Sequence, residues 1–410
     1  MARKAGPRSA LAARATLAGP VRVENLQSGR PDDRESFLEP FPAGPVNEGQ
    51  GPLVKGTLTG QSVLVLGASG YLGQHICTAF AAAGARVVRV ARGARPGAAV
   101  THDAANGHDG ANGHHGASST VRLDIAAADL AELTRLCADA EAQVVVNAVG
   151  AVWEATADQM TELNARLVER LTDVVAALPR RPRLIQLGSA HEYGPAGPDD
   201  LIDEDWPPAP ATAYGRTKLA GTRTVVGAVR RREVDGVVLR VSVTCGPGAP
   251  RGSLPGTVAA HLAAGQDVLR LAPLRAHRDL VDVRDVADAV VAAALVPAPA
   301  LAEAGAVVNI ARGETIPVRK LVDLMITCSG RSVRVQEEQP AQANRSDALW
   351  QRLDISRARR LLGWAPRRTL TDSVRDLLTA TGVLVPDVPN GLDSGTAARL
   401  RDGQGRTAHE

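Results

Sequence analysis

Tyr214 and Lys218, in Tyr214-Gly215-Arg216-Thr217-Lys218, stand four residues apart, so on a helix a phenol and an ammonium share one face. A free phenol has a pKa near 10, too high for efficient proton exchange at neutral pH, and a neighbouring cation is the physical device that brings it into range. A pair positioned in this way contributes about 10²- to 10⁴-fold in rate as a general acid or base. Lysine occurs only at Lys4, Lys55, Lys218 and Lys320 while arginine carries the remaining positive charge, so Lys218 reads as chemically required. Upstream, Ser189 follows the apolar run Leu184-Ile185-Gln186-Leu187, where its hydroxyl could polarise a carbonyl. A solvent-facing Tyr/Lys pair and a capping Ser would look the same in isolation, and the surrounding elements decide between the readings.

The first of those elements is Gly67-Ala68-Ser69-Gly70-Tyr71-Leu72-Gly73, a GxxGxxG spacing between the apolar run 62–66 and a helical pattern from Tyr71 to Ala83. Bare backbone there can approach a pyrophosphate, and a helix N-terminus offers unpaired N–H donors. Gly67, Ser69, Gly70, Tyr71, Leu72 and Gly73 are therefore the expected cofactor loop. A second strand, 86–90, runs into Ala91-Arg92-Gly93-Ala94-Arg95. In NAD-users an acidic residue at this tip accepts from the ribose 2′-hydroxyl. With Arg92 in its place, charge-assisted bonds to a 2′-phosphate are expected, and NADP(H) is preferred over NAD(H). Asp124 and Ile125 are assigned to the adenine side, and Ala148, Val149 and Gly150, after Asn147, to the nicotinamide side.

Short buried strands at 62–66, 86–90, 144–147, 184–187, 236–243 and 307–310 alternate with helical segments, which describes an α/β fold: a doubly wound, parallel Rossmann sheet with a smaller C-terminal substrate-binding lobe. Residues 1–58 are expected to be a flexible extension and 59–235 the dinucleotide-binding domain. Residues 101–120, rich in Gly, Asn, Ala and His, read as a disordered insertion whose four histidines, His102, His108, His114 and His115, are solvated and hold no metal. Residues 236–385 supply the remaining Rossmann strands and the substrate lobe, and 386–410 a disordered tail.

Aromatics are only 2% of the chain against 44% apolar residues overall, so Ala, Val and Leu must build the core. The 47 basic and 44 acidic residues leave a net charge of +3 without a basic stripe, which gives nucleic-acid binding no support. Four scattered cysteines without a CxxC pair argue against a disulfide framework or zinc site and for a reducing cytoplasm. No run approaches the roughly 18 apolar residues of a membrane span, and no signal peptide is evident.

Taken in order, the glycine loop, Asn147-Ala148-Val149-Gly150, Ser189, Tyr214 and Lys218 resemble the extended short-chain dehydrogenase/reductases, the NAD-dependent epimerase/dehydratase family, from about Ser62 to Thr379. Leu163-Asn164-Ala165, Leu239-Arg240, Gly246-Pro247-Gly248, the segment Arg278-Asp279-Leu280-Val281-Asp282-Val283-Arg284-Asp285-Val286 and Leu361-Leu362-Gly363-Trp364 resemble its branch acting on nucleotide-diphosphate sugars. The resemblance implies Ser189 and Tyr214 at the substrate oxygen, Lys218 and Tyr214 beside the nicotinamide ribose, and Arg278 and Arg345 on the sugar nucleotide's diphosphate. It also implies a homodimer paired through helices as one assembly open to the chain. Val243 stands where the family often has Asn.

Sugar dehydratases of this family carry an acidic pair directly after the catalytic Ser or Thr, and here Ala190 and His191 follow, with His191 and Glu192 read as loop surface or packing. The segment Gly188-Ser189-Ala190-His191-Glu192-Tyr193-Gly194 is most similar to the 4-keto-6-deoxyhexose reductases. The expected activity is NADPH-dependent reduction of an NDP-4-keto-6-deoxyhexose, as in antibiotic deoxysugar biosynthesis. The alternatives are an NDP-sugar 4-epimerase with tightly bound NAD and a non-catalytic NAD(P)-binding sensor or scaffold.

Overall fold

The computed structural model describes residues 57–92, 103–104, 118–152, 155–338 and 350–386. In chain order its first half runs β1 (Ser62–Leu66), α1 (Tyr71–Ala82), β2 (Arg86–Ala91), β3 (Asp103–Ala104), β4 (Ser118–Arg122), α2 (Leu130–Asp139), β5 (Val144–Asn147), α3 (Ala157–Thr161), α4 (Leu167–Ala177), β6 (Arg183–Ser189), α5 (Ala213–Arg230) and β7 (Gly236–Val241). There follow β8 (Val243–Cys245), α6 (Leu254–Ala264), β9 (Val268–Leu271), β10 (His277–Asp282), α7 (Val283–Leu295), α8 (Ala298–Glu303), β11 (Val307–Ile310), β12 (Thr315–Pro317), α9 (Val318–Ser329), β13 (Arg334–Glu337) and α10 (Leu370–Ala380).

Every residue of β1, β5, β7 and β11 is buried, which is why these strands are dominated by Val, Leu and Ile, a parallel strand covered on both faces having no solvent side to show; their polar exceptions, Asn147, Arg240 and Asn309, are buried as well. The main sheet has the order β11-β7-β6-β5-β1-β2-β4-β3; all its pairings are parallel except the short antiparallel β3–β4 edge. From β1 the chain builds outward through β2 and β4, then returns to add β5, β6, β7 and β11 on the other side. The reversal lies between β1 and β5, and in open α/β sheets the crevice at the carboxyl ends of such neighbours is where ligands bind.

Successive residues of a strand face opposite layers. Val63 and Val65 pack with Ile76 and Phe80 of α1 and Val286 and Val290 of α7. Leu64 and Leu66 face Leu133 of α2, Leu167 and Leu171 of α4 and Val225 of α5. A third apolar cluster forms the smaller lobe: α6, α9 and α10 pack against β8, β9 and β10 through Leu262, Leu321, Met325, Leu377, Leu269 and Leu280.

The acidic residues of the segment 278–286, three apart, each hold a different piece of chain beside the crevice. Asp279, fully buried, accepts N–H bonds from Arg312 (2.7 Å), Gly313 (3.0 Å) and Leu353 (3.3 Å). Asp282 caps α7 through Arg284 N and takes the Ser373 hydroxyl of α10 at 2.6 Å. Asp285 accepts from Arg368 Nη1 at 2.6 Å, while its carbonyl receives the indole N–H of Trp364 at 2.9 Å.

Three sequence boundaries shift. Leu58, assigned to the flexible extension, is fully buried in the core, and its N–H donates to Ala83 O at 3.0 Å, closing the turn before β1. Ser118, Ser119 and Thr120, assigned to the insertion, begin β4 and pair with Val87, Val88 and Arg89; near the sheet edge, polar residues are tolerated. Pro386 O accepts from Arg375 Nη2 at 3.0 Å, tying the start of the assigned tail to α10. The four histidines of the insertion lie outside the described residues. Among the described residues, no helix is long and apolar enough to cross a membrane and no cluster of potential metal ligands forms.

Candidate active site

Thr212 starts α5 by accepting the Gly215 N–H on its hydroxyl at 3.1 Å, which sets Tyr214 in the first turn and Lys218 one turn later. The helix lies backbone-close to its neighbours: a Cβ on Gly215 would come within 2.4 Å of His191 O, and one on Gly221 within 2.4 Å of Asn164 O. Lys218 is 5% exposed and its ammonium donates to Leu187 O at the end of β6. The Tyr214 phenol lies close to the Ser189 hydroxyl.

Burial pushes the phenol up to about 12, opposed by the Ser189 bond, and burial pulls Lys218 down to about 8, opposed by the Glu192 charge. The ammonium's described partner is the Leu187 carbonyl, and desolvation leaves Tyr214 a neutral O–H donor across the neutral range.

Ser189 opens a single 3₁₀ turn, Ala190–Glu192, with the reciprocal bonds of a capping box: its hydroxyl accepts from His191 N at 3.2 Å and its N–H donates to Glu192 Oε1 at 2.8 Å. Glu192 is not loop surface, as its position after the serine implies, but fully buried and paired with Arg240 Nε at 2.8 Å. The register Gly188↔Arg240 between β6 and β7 brings the arginine alongside, and only glycine at 188 leaves room, since a Cβ there would lie 2.8 Å from the carboxylate.

The His191 ring stands edge-on to Tyr214, centroids 5.7 Å apart at 73°. Burial, helped by the positive charge of Arg278, pulls its pKa down to about 4. His191 is thus a neutral ring packed on the phenol, and the Arg278 charge acts on that ring. Arg345 lies outside the described residues.

A dinucleotide would enter on the other side. Gly70 begins α1 with no side-chain cap and no acidic residue in the first turn, so the helix presents bare N–H donors to an anion. Gly67 has φ +76°, and its virtual Cβ is 3.0 Å from both Ala148 O and Val149 N, while a Cβ on Gly73 would strike Gly67 O at 2.1 Å. The structure thus sets Gly67 against Ala148 and Val149 and folds Gly70 and Gly73 back on Gly67, with no room for a side chain at 73. Tyr71 points away from solvent and donates to Gly246 O at 3.4 Å, so it anchors the loop. Gly150 borders Asn164, whose amide bridges Ala151 and the Thr217 hydroxyl from a π-helical turn, Glu162–Arg166, between α3 and α4; such turns often mark functional sites. Arg92 is exposed just past β2, and Asp124 follows β4 with Oδ1 accepting from Ala126 N at 3.2 Å beside buried Ile125. The uncapped N-terminus of α1 and its close-packed glycines fit the phosphates of a dinucleotide.

The family model described as "NAD dependent epimerase/dehydratase family" matches residues 63–311. The chain belongs to this family. A curated relative from Kitasatospora kifunensis, "dTDP-6-deoxy-L-talose 4-dehydrogenase (NAD(P)(+))", is 39% identical over 323 residues, spanning 78% of this chain and 95% of the relative. Among solved structures, MoeE5 in complex with UDP-glucuronic acid and NAD superposes with a TM-score of 0.64 at 22% identity, covering 78% of this chain and 99% of that one. RMD from Pseudomonas aeruginosa complexed with NADPH gives 0.63 at 20%, covering 79% and 98%. At these identities the two structures speak for the shared Rossmann-like fold.

Of two features beside Ser189, a motif reaches one. The Ser-x-x-Glu spacing of Ser189 and Glu192 is itself a capping-box signature and could have placed Glu192 inward. The Glu192–Arg240 pair could not have been found that way, because it depends on the β6–β7 register.

Proposed function

We propose that the protein reduces the 4-keto group of a nucleotide-diphosphate 4-keto-6-deoxyhexose with NADPH. The observation that carries this is the convergence of Tyr214 and Lys218, one turn apart on α5, on Ser189 and Leu187 at the end of β6, with burial favouring the protonated phenol. The relative from Kitasatospora is named for hydride transfer at C4 of a dTDP-6-deoxyhexose, and dehydrogenation and ketoreduction are one transfer run in opposite directions.

In this reading the glycine loop and Arg92 hold the dinucleotide, and the bound reduced nicotinamide supplies the hydride that C4 accepts. Ser189 donates to the carbonyl oxygen and fixes its position. Tyr214 transfers its phenolic proton to the same oxygen as C4 becomes an alcohol carbon. Lys218, anchored on Leu187 O, has further N–H donors for the nicotinamide ribose. Arg278 and Arg345 pair with the diphosphate, the guanidinium fork matching phosphate oxygens.

The test is to mix purified protein with NADPH and dTDP-4-keto-6-deoxyglucose generated by a dehydratase and follow the reduced nicotinamide's absorbance, with Tyr214→Phe alongside. Tyr214-dependent NADPH consumption is expected. Dinucleotide that stays with the protein through purification, with interconversion of NDP-hexoses and no net NADPH use, would instead indicate an epimerase. Full activity in Tyr214→Phe would rule out the proton-transfer step.

A further inference from the structure

Beneath the Ser189–Tyr214 pair lies a buried ionic chain that the proton transfer itself does not use. Glu192 is wholly buried and Arg240 4% exposed, and they meet at 2.8 Å. The carboxylate's other oxygen receives the Ser189 N–H at 2.8 Å. On its far side the Arg240 guanidinium lies 4.4 Å above the Tyr193 ring. The Tyr193 hydroxyl donates to Asn309 Oδ1 at 2.7 Å, and Asn309 donates on to the carbonyls of Ile202 and Asp354. Its N–H reaches Glu204, which Arg357 pairs at 3.3 Å.

A buried ion pair is weak evidence for stability, because desolvating two charges offsets most of their attraction. Its retention here calls for another account, and the geometry supplies one. The three residues 187–189 at the end of β6 are gripped from both sides: the Lys218 ammonium holds the carbonyl of Leu187, and the Glu192 carboxylate holds the N–H of Ser189. Gly188 between them has no Cβ, and that vacancy is where Glu192 Oε1 sits.

We propose that Glu192, locked by Arg240, is the positioning residue of this site: it fixes the backbone that presents the Ser189 hydroxyl and sets a buried negative charge against the strand end whose Leu187 carbonyl holds the Lys218 ammonium. The assignment rests on the ketoreductase reading for its kinetic consequences, but its central readout does not. The charged and titratable groups facing this cluster are Arg240 from β7, Lys218 and Tyr214 from α5, Tyr193 and His191 from the same loop, Glu204, and Arg278 from β10, which faces His191. Among these the Glu192 charge is the one that raises Lys218 against its burial.

The chain has four lysines, so labelling lysine side chains with ¹³C and ¹⁵N gives a simple spectrum in which Lys218 is assigned by its loss in Lys218→Arg. In Glu192→Gln, which keeps shape and the Ser189 bond, the Lys218 titration midpoint is expected to fall by about one pH unit, the size of effect one nearby counter-charge has. The alkaline limb of the kcat profile for keto-sugar reduction is expected to fall with it, while NADPH affinity measured well below that midpoint stays near wild type. If Glu192→Gln leaves Arg240 too poorly matched to fold, Glu192→Gln/Arg240→Gln restores a neutral amide pair and is expected to fold and still show the lowered midpoint. A folded variant with an unmoved Lys218 midpoint overturns the proposal. A lowered midpoint in a protein that reduces no keto sugar upholds it and sets aside the ketoreductase reading alone.

Discussion

The ammonium of Lys218 donates to the main-chain carbonyl of Leu187, two residues before the serine whose hydroxyl lies close to the Tyr214 phenol. Lysine and tyrosine are therefore linked through the end of β6. The cation's position is set by the strand and the phenol's by the serine, so the two can be perturbed separately.

Tyr214→Phe removes the proton donor but keeps the ring against His191. It is expected to lower kcat for NADPH-dependent keto-sugar reduction by about 10²- to 10⁴-fold, with NADPH affinity little changed. Lys218→Met should raise KM for NADPH as well, because its N–H donors face the ribose in this reading. Steady-state kinetics with direct dinucleotide titration separates the two outcomes.

The pH profile follows from the same groups. Lys218, held down to about 8, loses its proton as the pH rises through that value, so reduction should decline above about pH 8. The phenol, pushed up to about 12, stays protonated across this range and adds no limb of its own. His191, near 4, adds no inflection close to the ordinary histidine value. A kcat/KM profile with its descending limb near the ordinary lysine value would contradict this assignment.

How much of this was open to a reader of the sequence depends on the range of the interactions. The Rossmann sheet was legible because β1, β5 and β7 are buried on both faces and so are mostly apolar, and the glycine loop because Cβ atoms at Gly67 and Gly73 would crowd main chain. Tyr214 and Lys218 share a helical face by spacing alone. What each then touches is set by other elements, and so the expected phenol–ammonium contact gave way to Leu187 O. Glu192 looked like loop surface because its partner, Arg240, is 48 residues away and meets it only through strand register. Leu58 and Ser118–Thr120 were misassigned because Gly-rich and polar composition concealed their contacts with the sheet.

His191 carries a stability prediction that is independent of activity. Its pKa is near 4 in the folded protein and ordinarily about 6.5. A depressed value means that its contribution is fully present above pH 6.5 and is lost as the pH falls towards 4. Thermal unfolding of wild type and His191→Gln, compared across that interval, should show the wild type losing more of its Tm on acidification. Parallel curves would mean that the ring is charged, or solvated, in the folded state.

The glycine loop offers a steric test. A methyl on Gly73 would stand 2.1 Å from the Gly67 carbonyl oxygen, main chain against main chain, whereas one on Gly60 meets nothing within 4 Å. Gly73→Ala is expected to force the loop off α1 at a cost of about 1–3 kcal/mol and to abolish measurable dinucleotide binding. Gly60→Ala carries only the strain of its positive φ, about 1 kcal/mol, and should bind dinucleotide normally. Fluorescence titration of both variants with NADPH makes the comparison.

The proposed NADPH preference rests on Arg92. It is the exposed residue immediately after β2, where a carboxylate would accept from a free 2′-hydroxyl but repel a phosphate. A charge-assisted hydrogen bond contributes about 1.5–3 kcal/mol, so Arg92→Ser should weaken NADPH by about tenfold or more while leaving NADH unchanged, because the hydroxyl form never engaged the guanidinium. Arg92→Asp should go further and reverse the preference, the new carboxylate rejecting the phosphate and receiving the 2′-hydroxyl. Measuring Kd for both reduced dinucleotides in the three proteins separates a phosphate-binding arginine from a solvated one: equal losses for NADPH and NADH, or no loss for either, would place the 2′-phosphate contact elsewhere in the chain.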